Sequence, residues 1–307
     1  MSVRHLLFLC AIVTLLVMPG CNDQPAPVKV DLSVREEVAP RRARPPAITY
    51  AYLPQYSHTV AFERHQPLIR YLAESTGLNI QQVFPETFHE HMQMLEQGTI
   101  DISYANPFVH ALTAQRTGTR FFAKIIEPTG EASFGGLIIS RRDNPEIQSL
   151  EDCRGKSWIA VDQFSAGGYL FGLGHFVDHG LNQEDFAEIA FAPGPGGKHE
   201  SVILGVYSGR YDVGTVREGA LELLADKIDL DQIRILARTP RYSGWGYSAR
   251  PGLADEVVEA VNEAMLALDP ENPEHRQILD KAAMGRIIAA TPEDFQPVLD
   301  LMSRVGL

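Results

Sequence analysis

Residues Asp162 to Phe171 read Asp-Gln-Phe-Ser-Ala-Gly-Gly-Tyr-Leu-Phe, so the hydroxyl residue Ser165 is followed by Ala166 and the pair Gly167-Gly168. The segment follows the strand-like run 158–161 and precedes an amphipathic stretch ending at Gly180. That pattern is a strand running into a helix start. The first N–H groups of a helix lack partners and sit at the positive end of its dipole, and small side chains leave them open to an anion. The chemistry offered is capture of a small anion. Other spacings offer less. His175 and His179 share a helix face, but no Glu follows the first and no third ligand is evident, so the zinc-protease pattern is absent. His89 and His91 fall on different faces of a helix, and Gly194-Pro-Gly-Gly-Lys198-His199 lacks the spacing and the Ser/Thr of a phosphate-binding loop. No nucleophile, base and orienting group form a recognised set, so neither an enzyme nor a cofactor is expected.

The 307 residues carry a net charge of −12, which argues against nucleic acid and against anion capture by the overall field. Any anion must be held by local geometry. Arg4 and His5 precede the apolar run 6–17 and then Met18-Pro19-Gly20-Cys21, the form of a signal peptide over 1–20. The cysteine at its end gives it the look of a bacterial lipoprotein signal, with Cys21 as the lipidated residue, although Met18 and Pro19 depart from the usual box. Cys10 lies in that signal, which leaves Cys153 without an intrachain partner, read as a small buried residue at a helix. Residues 21–46 are Pro-rich with mixed charge and read as a semi-extended tether.

From Ile48 onward, short apolar strands alternate with helix-length segments. Strands are expected at 48–53, 79–84, 100–105 and 120–126, with helices at 62–76, 87–97 and 108–116 between them. Pro128-Thr-Gly-Glu131 is a turn that suits a crossover between lobes. Strands at 134–140, 157–161, 188–191, 212–216 and 232–237 follow, with helices after Ser165 and His199. After 245–248 the chain returns to helices at 253–268, 275–283 and 292–302. The reading is an α/β, two-lobed clam with two mixed sheets flanked by helices. Lobe 1 is 47–130 with 238–307, and lobe 2 is 131–237. Ligands of such sheets bind outside the carboxyl ends of the strands, here in an interlobe cleft. Gln55 and Tyr56 follow the first strand, Tyr104 and Trp245 are aromatics at strand ends, and His199 opens a helix after a Gly-rich turn, so each is a candidate for the cleft.

Over nearly all of 48–300 the chain resembles the phosphate/phosphite/phosphonate-binding receptors of ABC importers, the PhnD-like branch of the type II periplasmic binding proteins. The resemblance is carried by Gln66-Pro67-Leu68-Ile69-Arg70-Tyr71-Leu72, by Gly98-Thr-Ile-Asp101-Ile-Ser-Tyr104-Ala-Asn-Pro107 and by Leu150-Glu-Asp-Cys-Arg-Gly155-Lys156. It continues in Ser165-Ala-Gly-Gly168-Tyr169-Leu170-Phe171, Lys198-His199-Glu200-Ser201 and Gly209-Arg-Tyr-Asp212-Val-Gly214. It implies the type II periplasmic-binding-protein fold and a ligand site at Ser165, Ala166, Gly167 and Gly168, where relatives have Ser-Thr-Ser-Gly, with His199 and Tyr104 as further contacts. Arg217 stands where many relatives have an acidic or amide residue, and Trp245 where aminoalkylphosphonate binders have the carboxylate that holds the amine. A guanidinium pairs bidentately with an oxyanion, whereas an unpaired buried ammonium is costly. The resemblance therefore implies a small oxyanion without an amine, with ABC permease subunits as partner and a membrane reached through the lipid. The alternative partner is a membrane sensor histidine kinase, served by the same clam.

Overall fold

The computed structural model describes residues 46–194 and 198–307. The signal segment, Cys21 and all of the tether but its last residue lie outside the described residues, as do 195–197 of the Gly-rich turn before His199.

The first half of the chain lays down β1 (Ile48–Tyr52), α1 (His58–Thr76), β2 (Ile80–Val83), α2 (Phe88–Glu96), β3 (Ile102–Ala105), α3 (Pro107–Thr117) and β4 (Arg120–Ile126). Local chemistry fixes the ends of these elements. Ser57 caps α1, and Gly77 closes it in the left-handed region at φ 71°. Asn106 accepts from the N–H groups of Phe108 and Val109 at the start of α3, where Pro107 loses nothing by lacking its own. The chain then enters the second lobe through β5 (Ser133–Phe134) and builds β6 (Gly136–Arg141), β7 (Ser157–Ala160), α4 (Phe171–Asp178), β8 (Glu188–Phe191), α5 (Lys198–Tyr207), β9 (Val213–Arg217) and β10 (Ile233–Arg238). It returns through β11 (Tyr242–Ser243) to β12 (Gly246–Ala249), α6 (Asp255–Leu266), α7 (Pro273–Lys281), β13 (Arg286–Ala289) and α8 (Gln296–Arg304).

One sheet has six strands in the order β13-β4-β12-β3-β1-β2, and the other has five in the order β10-β6-β9-β7-β8. Parallel pairing holds where strand and helix alternate, at β2-β1-β3 and at β8-β7-β9. The strands that flank the two crossings, β4, β6, β10 and β12, pair antiparallel. The crossings themselves pair as β5 with β11, and Phe171 packs its ring against Phe134 and Tyr242 beside them, with centroids 5.3 and 4.5 Å away.

In each parallel three-strand unit, β1-β2-β3 and β7-β8-β9, the first strand is tied to the residue before the third by the same device. The Thr49 N–H and hydroxyl donate to Asp101 at 2.7 and 2.9 Å, and the Ser157 N–H and hydroxyl donate to Asp212 at 2.9 and 2.7 Å. Cys153 is fully buried in a short 3-10 turn, and burial pushes its thiol up to about 12. Two features differ from the sequence expectation. Strand β13 is a four-residue edge strand, too short to show a periodicity between two helices. The helix after Ser165 opens with a π-type turn, in which the Leu170 N–H donates to the Ser165 carbonyl at 3.0 Å.

Candidate functional site

The carboxyl ends of β1, β3 and β9 open onto a cleft of about 630 Å³ between the sheets. Its lining includes Gln55, Tyr56, Tyr104, His199, Arg217 and Trp245. One side is aromatic. The Tyr52 ring lies 5.7 Å from Tyr104 and 5.9 Å from Trp245, each tilted by 20°, and 6.3 Å from Tyr56 at 11°. Burial raises the Tyr52 phenol well above its usual range, and the neighbouring Tyr56 adds to that, while the guanidinium charges of Arg64 and Arg217 pull the other way.

The other side is polar. Arg217, the last residue of β9, sends Nη2 to Glu127 Oε1 at 3.1 Å, and its guanidinium carbon stands 4.6 Å over the Phe134 ring. Its Nε is buried without a partner among the described residues, as is Nδ1 of His199 in the first turn of α5. Burial and the Arg217 charge push His199 down to about 3, so the ring is neutral at physiological pH. A neutral imidazole and a guanidinium each with an unspent nitrogen suit an oxyanion, which accepts from both.

Ser165, Ala166, Gly167 and Gly168 are buried and do not line the cleft. The Ser165 hydroxyl oxygen accepts from the Gly168 N–H at 3.1 Å, and the Gly168 carbonyl accepts from the Thr215 hydroxyl at 2.7 Å and from the Val161 N–H at 3.1 Å. The glycines allow close approach: a Cβ at Gly168 would meet Val161 Cγ2 at 2.3 Å, and one at Gly167 would meet Arg217 Cβ at 2.8 Å. The helix start is therefore close-packed, Gly167 against Arg217 and Phe134 and Gly168 against Val161.

Sequence reasoning missed Tyr52, Arg64 and Glu127. Tyr52 ends β1, so the strand-end rule that selected Gln55 and Tyr56 reaches it as well. Arg64 lies inside α1, stacks 4.2 Å from the Tyr56 centroid, and has no carboxylate partner among the described residues. Its place on the cleft depends on how α1 packs, which no local pattern reveals. The other cleft charges are paired, Arg241 standing 2.6 Å from Glu218 and 3.8 Å from Glu131. The lobes also touch outside the cleft. Asn106 Nδ2 donates to the Phe164 carbonyl at 3.1 Å, and the rings of His89 and Phe164 stack with centroids 6.2 Å apart.

Two α/β lobes joined by a paired crossing, with a polar and aromatic cleft at their strand ends, make a periplasmic solute-binding protein of the type II fold. The profile of the periplasmic substrate-binding proteins of phosphonate ABC transporters matches residues 50–295, and the chain belongs to that family, whose members bind and do not catalyse. The chain is 24% identical over 280 residues to the phosphate-import protein PhnD of Mycolicibacterium smegmatis, a match covering 85% of this chain and 87% of the relative. It is 26% identical over 215 residues to the tetrathionate sensor histidine kinase TtrS of Salmonella typhimurium, covering 65% of this chain and 36% of the kinase. Among solved structures, PhnD1 of Prochlorococcus marinus in complex with methylphosphonate superposes with a TM-score of 0.71 at 16% identity, covering 85% of this chain and 98% of the other.

Proposed function

We propose that this periplasmic receptor closes its two lobes around the oxyanion of a phosphite, phosphate or phosphonate lacking an amine and delivers it to an ABC permease. The observation that carries the reading is the pair of buried, unspent nitrogens, Arg217 Nε and His199 Nδ1, at a cleft walled by Tyr104 and Trp245. A buried donor without an acceptor costs about 1–3 kcal/mol. A ligand held by these lobe 2 nitrogens that also contacts the lobe 1 wall when the lobes meet draws the equilibrium toward the closed form. Gln55 and Tyr56 complete the lobe 1 wall. Ser165, Ala166, Gly167 and Gly168 support the site from behind, Gly167 through its close approach to Arg217. Cys21 carries the lipid that holds the receptor at the membrane.

Calorimetry of the purified protein against phosphate, phosphite, methylphosphonate, sulfate and arsenite tests the reading. Saturable binding of a phosphorus oxyanion is expected, and a folded protein that takes up none of them would remove it. Radiolabelled palmitate is expected to enter the native chain in a bacterial host and not Cys21→Ser. The similarity to a tetrathionate sensor kinase favours one second reading, in which the closed form is presented to a membrane kinase. Co-purification with a kinase in place of permease subunits would decide for it.

A further inference from the structure

We infer that Glu127 selects an oxyanion that still carries a proton: the bound ligand is a singly protonated phosphorus oxyanion whose P–OH donates to the Glu127 carboxylate while its other oxygens accept from Arg217 and His199. This rests on the oxyanion reading above and names the protonation state within it.

Position is the first ground. Glu127 follows β4 and stands in the cleft wall, its side chain 16% exposed beside Arg217 at 26%. The turn 127–131 pins its backbone, the Glu127 N–H donating to the Glu131 carbonyl at 2.8 Å and the Gly130 N–H to the Glu127 carbonyl at 2.9 Å. Oε1 accepts from Arg217 Nη2 at 3.1 Å, and Oε2 has no partner among the described residues. The other cleft glutamates are engaged elsewhere, Glu218 by Arg241 at 2.6 Å and by the Gly135 N–H at 3.1 Å, and Glu131 by Arg241 at 3.8 Å. An ionised carboxylate only accepts and a guanidinium only donates. An oxyanion at Arg217 thus has donors on one side and an acceptor on the other, which a fully ionised anion cannot satisfy and an anion with one hydroxyl can.

Charge is the second ground. Among the described residues the cleft is lined by three arginines, at 64, 217 and 241, and three glutamates, at 127, 131 and 218, while burial and the Arg217 charge hold His199 neutral. No surplus positive charge is there to offset a dianion, whose second charge would stand against Glu127. A site that bonds a ligand hydroxyl strongly rejects the analogue without it. Phosphates and phosphonates keep a second proton to near neutral pH, with a pKa of about 6 in a phosphate monoester, whereas sulfates and sulfonates keep none.

Methylphosphonate and methylsulfonate isolate that proton, because the singly protonated phosphonate matches the sulfonate in shape and charge. In titration calorimetry of the purified protein at about pH 6, methylphosphonate is expected to bind about a hundredfold or more tighter. Its affinity should fall as the pH is raised to about 8.5, approaching tenfold per pH unit once the second proton is lost. Across that range the groups facing Glu127 hold their state. Tyr52 and Tyr104 stay protonated, raised by burial first and in part by Glu127 itself, His199 stays neutral, and guanidinium groups stay charged. Glu127→Gln should admit the sulfonate, shrink the preference about tenfold or more and flatten the pH profile. Methylsulfonate binding as tightly as methylphosphonate to the native protein would overturn the inference while leaving the oxyanion receptor standing, as would methylphosphonate affinity that rises with pH. A Glu127→Gln variant that weakens both ligands by one factor and keeps the pH slope would reduce Glu127 to a support for Arg217 and overturn the selectivity. The native ratio and pH profile decide the matter should the variant fail to fold. Failure of methylphosphonate, phosphite and phosphate alike to bind would take down the oxyanion reading and the inference with it.

Discussion

Arg217 meets the cleft with one nitrogen committed to Glu127 and another unspent, and its neighbour His199 is held neutral. Charge-assisted hydrogen bonds are worth about 1.5–3 kcal/mol, so Arg217→Gln is expected to weaken oxyanion binding by roughly ten- to a hundredfold in calorimetry. Arg217→Lys should recover only part, because an ammonium lacks the planar fork. At the rim of the cleft, Ala283 closes α7 at φ 56°, a left-handed conformation that a side chain adopts at a cost of about 1–2 kcal/mol. Ala283→Gly should therefore raise the unfolding free energy measured in urea, by up to about 1 kcal/mol after the added chain entropy. At this scale the sequence revealed positions better than roles. Tyr104, Trp245, His199 and Arg217 were legible as strand-end or helix-start residues. The involvement of Arg64 was not, because only the packing of α1 turns that residue toward the cleft.

Among the elements, the strand-to-helix turn at 165–170 looked like an open anion cradle because its composition is small and polar. The same composition serves close packing, and the glycines separate the two roles. With Val161 Cγ2 at 2.3 Å and Val161 Cβ at 2.5 Å from the position of a new methyl, Gly168→Ala is expected to destabilise the fold by about 1–3 kcal/mol in urea unfolding. An open cradle would tolerate the change. The repeated strand-to-strand ties at Asp101 and Asp212 were marked in the sequence only as family motifs, their partners Thr49 and Ser157 lying 52 and 55 residues earlier. Alternation of strand and helix was readable throughout because each segment carries its own periodicity. Strand β13 and the small β5-β11 pair were not, since elements of four and two residues have none to show.

Across the whole molecule, burial of neutral histidines sets the response to acid. His65 and His91 are pushed down to about 3, chiefly by burial and secondarily by Arg64 and His110 respectively, and His110 is pushed down to about 4 by burial. In the unfolded chain each titrates near its ordinary 6.5, so between that value and 3–4 only the unfolded form takes up the proton. Their contribution is complete above pH 6.5 and is lost as the pH falls toward the folded values, each adding up to about 1.4 kcal/mol per pH unit to the slope. Urea midpoints measured from pH 7 to pH 4 should fall accordingly, and a flat profile would contradict neutral burial.

The C-terminal helix α8 packs against α3 of one lobe, against α4 of the other and against the crossing strand β11. Arg304 reaches Asp178 at 3.0 Å, and a methyl added at Gly174 would stand 2.2 Å from Leu301 Cδ1. A helix that touches both lobes and the crossing is placed to influence the angle at which the lobes rest, and with it the fraction of receptor competent to bind. Apparent affinity scales with that fraction whatever the ligand. If the helix sets that angle, the contact between Gly174 and Leu301 works as a gain control. Gly174→Ala should multiply the dissociation constants of all ligands by one common factor, leaving their ranking untouched.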